Sequence, residues 1–109
     1  MINMEMSEEM FGGDKEFITI LFGQYLQDNK DINTKIQSQY DGDQFQDLFH
    51  TAHTLAGALA NICEVDIVPI IKNVEKMSKE GDKPDAGEIA LIQSSLDDIF
   101  KQMEAYLAA

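Results

Sequence analysis

Phe45-Gln46-Asp47-Leu48-Phe49-His50-Thr51-Ala52-His53-Thr54-Leu55-Ala56-Gly57-Ala58-Leu59-Ala60-Asn61-Ile62 is the stretch on which the reading of this chain turns. Phe45, Leu48, Phe49, Ala52, Leu55, Leu59 and Ile62 recur at helical spacing and make one apolar face. With Phe45 at zero and about 100° per residue, that face centres near ~330°, His53 falls near ~80°, Gly57 near ~120° and His50 near ~140°. His53 therefore sits on the shoulder of the buried stripe, and His50 lies further out toward solvent. Helices of this pattern usually line the shoulder with long side chains. Here Ala56, Gly57 and Ala60 follow within two turns, and none of them can cover the His53 ring.

Outward from this helix the period stays helical. Asp41-Gly42-Asp43 is a turn, with Asp43 as N-cap and Gln46 in the capping-box position, which predicts a helix over 43–62. Upstream, Ser7 caps a short helix over 7–11 that Gly12-Gly13 ends, and Asp14 caps a long one over 14–39. Its stripe is Phe17, Leu21, Tyr25, Ile32, Ile36 and Tyr40, widened by Ile18, Ile20 and Phe22. Downstream, Asp66 caps a helix over 66–79 with Pro69 in its first turn, and Gly81-Asp82-Lys83-Pro84-Asp85 is a loop. A last helix over 86–107 turns Ile89, Ile92, Leu96, Ile99, Phe100, Met103 and Leu107 inward. The expected fold is all-α, an antiparallel four-helix bundle with a short additional N-terminal helix, in one domain over residues 1–109.

Composition excludes several function classes. All eight basic residues are lysine and face twenty acidic ones, and the net charge of -12 repels phosphate backbones and anionic lipid heads. Nucleic acid and direct membrane contact are therefore not expected. Cys63 is the only cysteine, so there is no internal disulfide, no CxxC pair and no zinc knuckle, and a reducing, cytoplasmic setting is expected. No apolar run approaches the ~18 residues of a membrane span, and Met1-Ile2-Asn3-Met4-Glu5-Met6 lacks a signal-peptide pattern.

A boundary histidine with small neighbours has chemistry available to it. An imidazole with an unperturbed pKa near ~6.5 offers a neutral ring nitrogen at neutral pH, as attack on phosphorus requires. His50 and His53, three residues apart, share a helical side, but a zinc site needs further ligands, and Gln46 and Asp47 are poor completions. No metal site is expected. His50 is read as a surface residue.

His53-Thr54-Leu55-Ala56-Gly57-Ala58-Leu59-Ala60-Asn61-Ile62 resembles the signature H-x-L-K-G-[SA]-x-x-x-[LIV]-G of the histidine-containing phosphotransfer (HPt) domains of phosphorelays. Phe11-Gly12-Gly13-Asp14 and Gly42-Asp43 also fall where that family has similar residues. The resemblance implies a phosphoryl carrier with no kinase activity of its own. His53 would take a phosphoryl group on Nε2 from a receiver-domain aspartate and pass it to another. It implies no cofactor in this chain, magnesium in the partner receiver, and response-regulator receivers and a hybrid sensor histidine kinase as partners; a monomer is expected because one histidine site in a single bundle needs no second subunit.

By the same resemblance Glu75, 22 residues after His53, would accept a hydrogen bond from Nδ1. The chain departs from the pattern twice: Ala56 replaces the usual lysine and Cys63 the usual glycine. Lys72 and Lys76 on the next helix are the candidates to supply the missing charge. Partner docking is expected around His53 through Gln46, His50, Ala56, Gly57 and Ala60, with Gly57 admitting the receiver's loops. Because the lysine is missing, the competing expectation is an HPt-like docking or adaptor bundle without efficient phosphotransfer.

Overall fold

Local chemistry at the chain's turns sets where each helix begins. In the computed structural model, which describes residues 1–109, the order is α1 (Met4–Met10), α2 (Lys15–Asp28), α3 (Ile32–Asp41), α4 (Phe45–Asn61), α5 (Val68–Lys79) and α6 (Ala86–Ala108). α1 starts earlier than its pattern suggests because the Asn3 side chain accepts from the Met6 N–H. Ser7 is not its cap. It lies buried inside α1 and donates its hydroxyl to the Ile62 carbonyl at 2.7 Å, tying α1 to the end of α4. Gly12 and Gly13 then take φ of 64° and 75°, the left-handed conformation that ends a helix and suits glycine. Asp14 caps α2 as expected, accepting from the Phe17 N–H.

The helix expected over 14–39 is two helices. Asn29 stops the first: its side-chain Nδ2 and its backbone N–H both donate to the Tyr25 carbonyl, so the side chain competes for the helical acceptor. Asp31 opens α3 without a side-chain cap. The break resets the phase of the apolar stripe. α2 buries Ile18, Phe22 and Tyr25, whereas Phe17 and Ile20, expected inside, are 43% and 62% exposed. Leu107, also expected inside, lies at the exposed end of α6.

Two other caps differ from expectation. Asp43 takes φ 51° and its carboxylate accepts from Lys83 Nζ at 2.6 Å, so it clips the α3–α4 turn to the α5–α6 loop and leaves Gln44 as the α4 N-cap. At α5 the N-cap position falls on Ile67 without a side-chain cap, not on Asp66, and the fully buried Glu64 accepts from the Ile67 N–H at 2.7 Å just ahead of the helix. Between them Cys63, standing where the resemblance has glycine, adopts φ 66° after α4. That is the left-handed conformation a glycine would take there, at a cost of roughly 1–2 kcal/mol for any other residue.

α4 packs against α5 and α3, and α6 against α2, α3 and α5, while α1 rests on α2. Their shared core includes Phe22, Ile36, Leu55, Leu59, Ile71 and Ile99, each almost wholly removed from solvent and each contributing roughly 1.5–3 kcal/mol by burial. The result is an elongated molecule of 42 × 21 × 19 Å. No helix is long and apolar enough to cross a membrane.

Candidate functional site

α4 buries Leu48, Ala52, Leu55 and Leu59 and thereby turns its other side outward. His53 lies on that outer side, its side chain 69% exposed, and Gln46, His50, Gly57 and Ala60 are exposed beside it. The wheel reading put His53, His50 and Gly57 outside the buried stripe, and all three are exposed. From α5, which lies against α4, Glu75 reaches across and its Oε1 meets His53 Nδ1. An ionised carboxylate can only accept, so Nδ1–H donates and Nδ1 is the protonated nitrogen of the neutral ring. The remaining nitrogen, Nε2, bonds nothing in the protein and keeps its lone pair.

Glu75 is only 16% exposed, so the acceptor is held by the body of the protein while the imidazole projects beyond it. A second support comes from Phe49, one turn earlier. Its ring stacks on His53 with centroids 5.9 Å apart and planes at 28°, and it also lies 5.2 Å from the His50 ring. The periodicity assigned Phe49 to the core alone. A phenyl four residues before an exposed histidine was the signal for this second role.

Gly57 has open space where a Cβ would sit, with nothing within 4 Å. No packing requirement inside the chain calls for glycine, although it costs the helix up to ~1 kcal/mol relative to alanine. Ala56 is a different case, because it is 1% exposed and belongs to the core. Its expected place in the docking surface is therefore corrected: at ~20° on the wheel it points toward the buried stripe. Lys72 and Lys76 are exposed on α5, as is Lys79, and none of the three forms an ion pair.

On the other side of the histidine strip, a shallow cleft between α3 and α4 is lined by Lys35, His50, Thr51 and Thr54. Sequence reasoning did not anticipate Lys35 here, because the α2–α3 break that aims α3 was not read. No three His, Cys, Asp or Glu side chains gather closely enough to hold a metal ion.

The arrangement is an exposed imidazole with one nitrogen fixed by a carboxylate and the other free, on a helix whose outer surface carries no bulky neighbour one turn on. No curated protein and no solved structure matches the chain. A family model described as Hpt domain matches residues 20–108, most of the chain and all of α3 to α6. The chain therefore belongs to the Hpt domain family, the phosphocarrier modules of phosphorelays, which have no kinase activity of their own and interact with receiver domains and histidine kinases.

Proposed function

We propose that His53 is the phosphoryl-accepting residue, taking the group from a receiver-domain aspartyl phosphate and passing it to the aspartate of a second receiver. The observation that carries this is the bond between His53 Nδ1 and Glu75, which leaves Nε2 as the free nucleophile. In the forward step the Nε2 lone pair forms the P–N bond as the P–O bond to the aspartate breaks, and the aspartate leaves as a carboxylate with that electron pair. The ring then carries positive charge, which the Glu75 carboxylate stabilises through Nδ1–H. Transfer onward reverses these changes. Positioning and charge stabilisation supply the catalysis, with magnesium contributed by the receiver.

Lys72 and Lys76 supply cationic charge near the phosphoryl oxygens in place of the lysine absent at Ala56. Gln46, His50, Gly57 and Ala60 form the surface a receiver meets. The buried Ala56 also favours a second reading, in which the chain binds a receiver or kinase without transferring phosphate efficiently.

Incubation with a receiver phosphorylated by a small donor separates the two. Acid-labile label on wild type and on His50→Ala, lost in His53→Ala, is expected of the carrier. Receiver binding without label would leave the adaptor.

A further inference from the structure

α5 is the only helix with a net positive charge in a chain that totals -12. Its lysines are Lys72, Lys76 and Lys79, and its only acidic residue is Glu75, already engaged by His53. With Glu75 at zero on the α5 wheel, Lys79, Lys72 and Lys76 fall near ~40°, ~60° and ~100°, on the side away from the buried stripe of Ile71, Val74 and Ser78. They form an exposed ridge that begins where His53 meets α5. Across the imidazole, the cleft formed with α3 adds Lys35 and His50 and contains no carboxylate. Half of the chain's lysines thus flank the exposed His53 side chain, with His50 beside it. By contrast, α1 and α6 each carry a clear acidic excess, as do the connecting loops.

We infer that these four lysines are a docking collar for a receiver domain whose contact face presents surface carboxylates opposite α5 and α3, an inference that rests on the part of the proposed function in which a receiver meets the chain at His53. Charge complementarity selects this occupant: an acidic face is attracted by the collar and repelled by the rest of the molecule, so approach is guided toward His53. Because salt screens such attraction beyond ~8 Å at physiological strength, the effect belongs to encounter and orientation at close range. A basic face would instead be drawn to α1 or α6, away from the histidine.

The test is the association rate constant with an isolated receiver domain, chosen as the tightest binder in a purified panel, from low salt to ~0.3 M NaCl. Wild type should associate about tenfold more slowly at the higher salt. Lys72→Glu/Lys79→Glu should be about tenfold slower than wild type at low salt with a flatter salt dependence, and Lys15→Glu/Lys101→Glu, the same charge change elsewhere, within about twofold of wild type. Equal slowing by both double variants, a salt-independent wild type, or no binding to any receiver would overturn the collar. Phosphate transfer is scored separately in the same samples, so binding without transfer counts against the carrier reading and leaves the collar standing.

Discussion

At the scale of single residues, the account rests on how few groups hold His53. Losing the Glu75 carboxylate removes a charge-assisted hydrogen bond worth roughly 1.5–3 kcal/mol, and with it the preference for a free Nε2. Glu75→Ala is therefore expected to slow transfer about tenfold or more while leaving the fold intact, as read by single-turnover transfer and circular dichroism. An unchanged rate would show that the contact is structural only. Gly57 makes a paired prediction, since its Cβ position is open. Gly57→Ala should raise helix stability by up to ~1 kcal/mol, whereas Gly57→Arg should keep the fold and block transfer. Normal transfer in the arginine variant would remove the steric role. His53, Gly57 and Glu75 were all legible in the sequence, the first two by wheel geometry and Glu75 through resemblance. Phe49 was half legible, because an apolar residue on the shoulder of a stripe serves the core and a neighbouring ring at once.

At the scale of helices, the α4–α5 pair decides what can stand near the histidine. Ala56 is buried there, so restoring the family's usual lysine by Ala56→Lys should destabilise the chain by about 1–3 kcal/mol through overpacking and a desolvated charge, seen as a lower Tm. A lysine tolerated without loss would mean that the α4 surface is more open than described. Helix type was readable throughout from the apolar period, and helix ends were read less well. Asp14 capped as its position suggested, but the N-cap positions of α1, α4 and α5 fall on Asn3, Gln44 and Ile67 rather than on Ser7, Asp43 and Asp66, because tertiary partners claim the Ser7 and Asp43 side chains and the Glu64 carboxylate takes the Ile67 N–H. The α2–α3 break was visible only as a seven-residue gap between Tyr25 and Ile32 in the stripe. A side-chain amide competing for one carbonyl leaves little trace in periodicity.

At the scale of the whole molecule, a core shared by five helices underlies the histidine strip, and one buried group sets an alkaline limit. The Tyr25 hydroxyl is buried without a hydrogen-bond partner, and burial together with the nearby Glu64 carboxylate holds its pKa well above the usual 10.0. The unfolded chain releases that proton near its ordinary value while the folded chain retains it. Stability should therefore fall as pH rises past ~10, by up to about 1.4 kcal/mol per pH unit from this group. Denaturant unfolding at several alkaline pH values should show a smaller decline in Tyr25→Phe, and identical declines would assign the effect to other groups. The charge layout is likewise a property of the whole chain, since total composition showed acidity but not that α5 stands apart from it. The most direct measurement of the central claim is 31P NMR combined with mass spectrometry on the chain after exposure to a phosphorylated receiver domain. The account predicts a single phosphohistidine at His53, bonded through Nε2, and no phosphate on His50. Phosphate on Nδ1, on His50, or on neither histidine with every receiver tried would contradict it.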